Sequence, residues 1–146
     1  MRSQALIDMK TVMVFGTFDF LHIGHLHFLN EAKKLGSKLI VVVARDEVVL
    51  ELKGKEPIHN EQERIALLSN LKIIDEVTLG DRSIGTYKVL KKNRPDIVAI
   101  GYDQTAFFQD IKEFIEKTKN QVEIKQITPY SKKNIKSSDL RKILPL

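Results

Sequence analysis

The feature that most constrains this chain is a series of short apolar runs separated by helical patterns. Val12–Phe15, Leu39–Ala44 and Ile97–Ile100 are continuous apolar runs, and each predicts a strand buried on both faces. Glu76–Leu79 and Val122–Ile127 predict two further strands. Strands that alternate with helices in this way are typical of a parallel sheet covered on both faces.

Helical patterns fill the intervals between these strands and close the chain. The predicted helices run from His25 to Leu35, onward from Asn60, from Thr86 to Asn93, from Ile111 to Thr118, and from Ser137 or Ser138 to Leu144. The Lys53-Gly54-Lys55 segment predicts a polar loop. Together these elements predict an α/β fold: a doubly wound, Rossmann-like, five-stranded parallel sheet with a short C-terminal helix.

Length and composition narrow the class of protein. A chain of 146 residues, 42% hydrophobic and 29% charged, suits one domain, so we expect residues 1–146 to form a single domain. The absence of cysteine excludes disulfides, thiolate metal sites and a thiol nucleophile. The longest apolar run is far too short to span a membrane, and the first ten residues lack a signal-peptide pattern. We therefore expect a soluble cytoplasmic protein.

The net charge of +5 is concentrated at the C-terminal end. Residues 1–124 carry equal numbers of basic and acidic side chains, whereas residues 125–146 carry six basic side chains and one acidic. Such an end could be a nucleic-acid arm, a solvated segment, or a phosphate clamp folded over a site. The charge alone does not choose between these, whereas the motifs described below favour a clamp on a triphosphate.

The junction between the first strand and the first helix contains the densest group of candidate site residues. Gly16 and Gly24 let backbone approach a ligand closely, and the helix that starts near Gly24 offers free N–H groups to an anion. His22 and His25 flank that helix start. With His27 they also allow a zinc site or capped core histidines as alternatives. The segment is neither a G-x-G-x-x-G fingerprint nor a Walker A loop.

Two motifs carry a resemblance to a known family. Gly16-Thr17-Phe18-Asp19 through His22-Ile23-Gly24-His25 resembles the signature of the HxGH nucleotidyltransferases, in their cytidylyltransferase-like branch. Ile135–Arg141 resembles the C-terminal I-S-S-T-x-I-R element of that family, with Lys136, Ser138 and Leu140 as departures. The segments after the second, fourth and fifth strands look most similar to those of archaeal FAD synthases: Ala44-Arg45-Asp46-Glu47, Gly101-Tyr102-Asp103-Gln104 and Pro129-Tyr130.

The resemblance implies transfer of a nucleoside monophosphate from a nucleoside triphosphate to a phosphate-bearing acceptor, with release of pyrophosphate. The implied catalytic residues are His22, His25, Lys53, Ser137, Ser138 and Arg141. The implied nucleotide-binding residues are Gly16, Thr17, Phe18, His22, Ile23, Gly24, His25, Asp103 and Tyr130. We assign Asp19, Asp46 and Arg64 to the acceptor. No metal-binding residues are assigned, because Mg²⁺ is expected to arrive with the triphosphate.

The resemblance also implies ATP as donor, FMN as acceptor and FAD as product, within a homodimer that binds neither nucleic acid nor membrane. CTP as donor, and glycerol 3-phosphate or a heptose phosphate as acceptor, remain open alternatives. A nucleotide-binding regulator without catalysis is an alternative of a different class.

Overall fold

The computed structural model describes residues 9–131 and 141–145, and a parallel sheet forms their centre. Its five strands are β1 (Thr11–Gly16), β2 (Lys38–Val43), β3 (Glu76–Leu79), β4 (Ile97–Gly101) and β5 (Glu123–Ile127). Every neighbouring pair is parallel, and the order is β3-β2-β1-β4-β5. The predicted α/β fold with a five-stranded parallel sheet is therefore confirmed.

The helices agree with the prediction less closely than the strands do. They are α1 (Ile23–Lys33), α2 (Asp46–Lys53), α3 (Glu61–Ser69), α4 (Lys88–Asn93) and α5 (Thr105–Thr118). Two helices, not one, separate β2 from β3. Helix α2 was not predicted, and the prediction that Lys53 lies in a loop is wrong, because Lys53 is the last residue of that helix. Helix α5 begins at Thr105, six residues before the predicted start at Ile111.

Alternating residues of the central strands face two separate cores, as a doubly wound sheet requires. On one face Val12, Val14, Leu39 and Val41 pack with Leu29 of α1 and Leu68 of α3. On the other face Met13, Ile40, Val98 and Ile100 pack with Leu90 of α4 and Ile111 of α5. The helices therefore cover both faces and leave the strand ends as the place for a ligand.

The strand order reverses between β1 and β4, and these two strands separate towards their carboxyl ends. Their register pairs run only from Val12 to Val14 on β1. Beyond that point the side chain of Gln104 fills the gap between the strands. Its Oε1 accepts from the Gly101 N–H at 2.8 Å, and its Nε2 donates to the Phe15 carbonyl at 2.8 Å. A crevice is thus open at the switch point without leaving those backbone groups unsatisfied.

The described C-terminal residues pack against the core on the face that carries α1 and α3. Residues 141–143 are helical, and Ile143 is fully buried in that core. Its carbonyl accepts a hydrogen bond from the Lys72 N–H at 2.9 Å. The predicted start of this closing helix, with Ser137 and Ser138, lies outside the described residues.

No helix within residues 9–131 and 141–145 is both long enough and apolar enough to cross a membrane.

Candidate active site

A cavity of about 820 Å³ opens beyond the carboxyl ends of β1 and β4. This volume lies towards the upper end of the usual ~300–1,000 Å³ of small-molecule sites, so it is large enough to hold more than a phosphate group. Eleven of the predicted site residues line it: Gly16, Thr17, Phe18, Asp19, His22, Ile23, Gly24, His25, Lys53, Asp103 and Tyr130.

The loop between β1 and α1 is held in an unusual backbone conformation. Phe18 and Phe20 both have positive φ, at 54° and 52°, which costs a residue with a side chain roughly 1–2 kcal/mol. The Phe18 ring compensates by being buried, and it lies over Gly16. A Cβ at Gly16 would come within 2.7 Å of that ring, so glycine is required there for the loop to close over the strand end.

His22 and His25 cap the start of α1 reciprocally. Nδ1 of His22 accepts from the Gly24 N–H at 3.1 Å, and Nδ1 of His25 accepts from the His22 N–H at 3.2 Å. The two rings stack with centroids 3.9 Å apart. A Cβ at Gly24 would lie 2.9 Å from His22 Cε1, so the glycine leaves room for the imidazole. Helix capping therefore fixes both rings at the position where a helix attracts an anion.

The capping pattern also determines which nitrogen of each neutral ring carries the proton. Because Nδ1 accepts a hydrogen bond in both rings, the proton lies on Nε2, which is then a donor. The pKa of His25 is lowered from its ordinary 6.5 to about 4, chiefly by burial and also by nearby His22 and Lys53, while Asp103 opposes them. His25 is therefore a neutral hydrogen-bond donor at pH 7.

A lysine from α2 reaches the same end of the cavity. Lys53 Nζ lies 3.4 Å from Thr17 Oγ1, and both residues line the cavity. The last turn of a helix suits a cation because of the negative end of the helix dipole. Since Gly54 follows in the left-handed conformation, with φ of 74°, α2 ends immediately after Lys53. The helix thus brings a positive charge to the loop that carries the two histidines.

Asp19 holds the loop that precedes α3 against the loop between β1 and α1. Its carboxylate accepts from the backbone N–H groups of Ile58 and His59, at 2.7 and 2.9 Å. Burial tends to raise the pKa of Asp19, but these two hydrogen bonds, together with electrostatic attraction to His59 and Arg64, hold the pKa below its ordinary value. Asp19 lines the cavity as a carboxylate already occupied by the protein backbone.

Arg64 and Asp46 form an ion pair that supports the loop between β1 and α1. The Arg64 side chain is fully buried and donates to the carbonyls of Thr17 and His59 and to Asp46 Oδ1, at 2.8, 3.0 and 2.7 Å. Neither residue is among the described residues that line the cavity. Their hydrogen bonds join the end of β1 to α2 and α3, and the prediction that they contact the acceptor stays a prediction.

The wall next to β5 combines polar and aromatic groups. His27 is buried and its Nε2 lies 3.0 Å from the Thr128 carbonyl, while its ring centroid lies 6.0 Å from that of Tyr130. Asp103 is exposed and follows β4. Among the described residues, no group of three His, Cys, Asp or Glu side chains could hold a metal ion. His27 thus contacts a backbone carbonyl. Within the described part of the chain it does not form a metal-binding cluster with His22 and His25.

An aromatic wall that was not predicted from the sequence lies across the cavity from the wall next to β5. Phe15, Tyr87 and Phe107 all line it, and their ring centroids lie 5.0 to 6.2 Å from one another. They come from β1, from the N-cap of α4 and from the first turn of α5. Phe107 could not be recognised as a wall residue while the helix was predicted to begin at Ile111.

Of the C-terminal motif, Ile135–Arg141, only Arg141 lies among the described residues. Its side chain is exposed, and it is not among the described residues lining the cavity. Ser137 and Ser138 lie outside the described residues. The roles assigned to these three residues remain predictions.

The parallel sheet and the two histidines that start a helix beside its switch point match the expectation of a Rossmann-like nucleotidyltransferase. Comparison with protein families agrees. The chain belongs to the cytidylyltransferase-like family, whose model matches residues 13–143.

Curated relatives refine the comparison. The chain is 42% identical to a protein named FAD synthase from Thermococcus sibiricus, over 84% of this chain and 82% of the relative. It is 42% identical to a second protein named FAD synthase, from Thermoplasma volcanium, over 92% of this chain and 93% of the relative. Enzymes of this class typically act with a divalent cation.

Solved structures agree on the fold. The chain resembles a protein titled lipopolysaccharide core biosynthesis protein from Thermoplasma volcanium, with a TM-score of 0.77 and 42% identity, over 84% of this chain and 98% of that one. Pantothenate synthetase from Thermus thermophilus matches with a TM-score of 0.59 at 14% identity, over 91% of this chain and 64% of that one. The second likeness shows the fold alone.

Proposed function

We propose that this protein is an FMN adenylyltransferase, which transfers the adenylyl group of ATP to the phosphate of FMN and releases pyrophosphate and FAD. The observation that carries the proposal is the reciprocal histidine cap at the start of α1, at the switch point of a nucleotidyltransferase fold. The curated relatives named FAD synthase support FMN as the acceptor and ATP as the donor.

The chemistry needs positioned donors more than a nucleophilic side chain. The FMN phosphate is already ionised at pH 7 and attacks the α-phosphorus, forming the new P–O bond as the bond to pyrophosphate breaks. Negative charge spreads over the α-phosphate oxygens and the leaving group. The Nε2–H groups of His22 and His25 and the free N–H groups of the helix start would stabilise that charge.

Lys53 would add a positive charge to the phosphates from the end of α2. Its ammonium already lies within 3.4 Å of Thr17 Oγ1, beside the histidine loop. On resemblance, Ser137, Ser138 and Arg141 would contact the β- and γ-phosphates. Asp103 and Tyr130 would bind the adenosine, because a carboxylate can accept from ribose hydroxyls and a tyrosine ring can lie against a base.

A divalent cation would enter with the triphosphate, and we propose Mg²⁺. Two cavity carboxylates, Asp19 and Asp81, accept protein N–H groups, whereas Asp103 is exposed. This donor set suits an ion that takes most of its ligands from phosphate oxygens. When bound, the ion neutralises phosphate charge. Excess chelator should therefore abolish turnover, and added Mg²⁺ should restore it.

A sugar phosphate is the second candidate acceptor, because one solved relative carries a lipopolysaccharide-core title. The aromatic wall of Phe15, Tyr87 and Phe107 favours a flavin, since a sugar phosphate has no planar apolar surface to place against it.

The test is a pyrophosphate-release screen in which ATP and CTP are each combined with FMN, glycerol 3-phosphate and a heptose phosphate. We expect release with ATP and FMN. Release only with CTP, or only with a sugar phosphate, would replace the proposed substrates. No release with any pair would favour a regulator that binds nucleotides without catalysis.

We also propose a homodimer, for which the family resemblance is the support. Light scattering at assay concentration should give twice the mass of the chain, and the monomer mass would contradict this.

A further inference from the structure

The cavity extends to both faces of the sheet, and its two sides have different chemistry. Phe18 belongs to the core on the face that carries α1, whereas Phe15, Tyr87 and Phe107 pack against the core on the face that carries α4 and α5. We call the second side the aromatic lobe, and its described wall consists of Phe15, Val42, Tyr87, Val89 and Phe107.

The aromatic lobe offers a ligand apolar surface. Its ring carbons and aliphatic groups supply no cation for a phosphate. Asp81, which lines the cavity nearby, accepts from the N–H groups of Lys88 and Val89 and from the Thr86 hydroxyl, at 2.5, 3.2 and 2.5 Å. That carboxylate therefore caps the start of α4, and the lobe is suited to a planar, weakly polar group.

Tyr87 is fixed in place before any ligand binds. Its hydroxyl donates to the carboxylate of Asp110 on α5, and its ring packs on Phe114 with centroids 5.1 Å apart. Burial and this hydrogen bond raise the pKa of Tyr87, so the hydroxyl stays protonated and neutral. A ring held in this way loses little further freedom when a ligand stacks against it.

The lobe lies close to the phosphate-binding end of the cavity. Phe15 and Thr17 are two residues apart along the end of β1, which spans about 7 Å of extended chain. Thr17 is the neighbour of Lys53. A ligand with an aromatic ring in the lobe and a phosphate near Lys53 would need a short flexible chain between them, and FMN has one in its ribityl group.

Resting on the proposed function, we propose that the aromatic lobe binds the isoalloxazine ring of FMN and that Phe107 selects a flavin over other phosphorylated acceptors. The adenosine of ATP then occupies the opposite side, beside His27, Asp103 and Tyr130. Ile84, which is 45% exposed, lines the same cavity and would contribute further apolar surface to the ligand.

Phe107→Ala and Phe107→Leu test the assignment, with Phe108→Ala as the matched control. Phe108 is the next residue on α5 and packs on the same core, but it is not among the described residues lining the cavity. For each variant, KM is measured separately for FMN and for ATP. Riboflavin, which lacks the phosphate, is titrated by its fluorescence to isolate the ring contact. Thermal unfolding confirms that each variant is folded.

Loss of an aromatic stacking partner should raise KM for FMN and weaken riboflavin binding about 5- to 100-fold, with KM for ATP unchanged. Phe107→Leu should show the same shift and keep a normal unfolding temperature, and Phe108→Ala should resemble the wild type. A higher KM for ATP instead would place adenine in the lobe and overturn the assignment. Unchanged constants in folded variants that still make FAD would also overturn it, while leaving the proposed function intact. If the wild type makes no FAD, both proposals fail.

Discussion

His22 combines a structural and a chemical role that can be separated by substitution. Its Nδ1 caps α1, whereas its Nε2 is the atom proposed to contact phosphate. Asparagine is a strong N-cap residue, but its side chain is too short to replace Nε2. His22→Asn should therefore unfold close to the wild type and lose about 100- to 1000-fold in kcat, the usual cost of one preorganised donor.

The comparison variant is His22→Ala, which removes both roles. It should show the same loss in kcat together with about 1 kcal/mol of lost stability from the missing cap. Steady-state assays and urea unfolding measure the two effects. Wild-type kcat in the folded asparagine variant would remove His22 from the mechanism.

His25 gives a pH prediction with a definite sign. Its pKa is about 4 in the folded protein, below the ordinary 6.5, so the unfolded chain takes up the proton first as the pH falls. The contribution of His25 to stability should therefore be constant above about pH 6.5 and fall progressively towards pH 4. The unfolding temperature of His25→Gln should fall less steeply over that interval. Parallel curves for the two proteins would contradict the lowered pKa.

The role of Arg64 could not be predicted from its position in the sequence. A cation in the first turns of a helix suggested a ligand role, yet its three partners come from Thr17, His59 and Asp46. Those partners are brought together only by the folded chain, so local sequence could not distinguish support of the loop from contact with the acceptor.

Arg64→Met should lower the free energy of unfolding by about 2–4 kcal/mol, because it leaves two carbonyls and the Asp46 carboxylate without their donor. Arg82→Met is the control, since Arg82 is 77% exposed and 3.8 Å from Glu47. It should change stability by less than about 0.5 kcal/mol. Equal effects of the two substitutions in urea unfolding would show that the buried network stabilises nothing.

At the scale of elements, all five strands could be predicted from the sequence, whereas helix α2 and the start of α5 could not. The strands at the centre of the sheet are buried on both faces, so each is a continuous apolar run in the sequence. Such a run predicts a strand without any knowledge of its neighbours in the sheet. Helix α2 has eight residues and the β-branched pair Val48 and Val49 near its start, which gives weak helical signals by itself. The N-cap of α5 is Gln104, whose side chain bonds to strand ends and gives no capping signal in sequence.

The position of Lys53 at the end of α2 makes a prediction about the nucleotide. Lys53→Ala should raise KM for ATP about tenfold or more, the expected loss for a charge-assisted hydrogen bond to phosphate. Lys55→Ala is the matched control, because Lys55 is exposed and is not among the described residues that line the cavity. Similar KM values for the two variants would show that Lys53 contributes only to the overall positive charge and does not contact the phosphates.

For the whole molecule, sheet topology explains why residues distant in sequence share one cavity. In the order β3-β2-β1-β4-β5, the ends of β1 and β4 lie side by side, and Gln104 holds them apart. The histidine loop, the end of α2 and the residues after β4 and β5 therefore converge at one edge. The predicted alternation of strands and helices was enough to place the site at this edge. The aromatic lobe could not be predicted, because Phe107 lies in the part of α5 that the predicted helix left out.

The central claim is that this cavity joins ATP to FMN, and one measurement tests it most directly. The protein is incubated with Mg²⁺, FMN and ATP labelled at its α-phosphate, and the flavin products and pyrophosphate are separated and quantified. The account predicts that the label appears in FAD in an amount equal to the pyrophosphate released, and that His22→Asn makes almost none. Label that stays out of the flavin while pyrophosphate is released, or FAD formed equally well by His22→Asn, would contradict it.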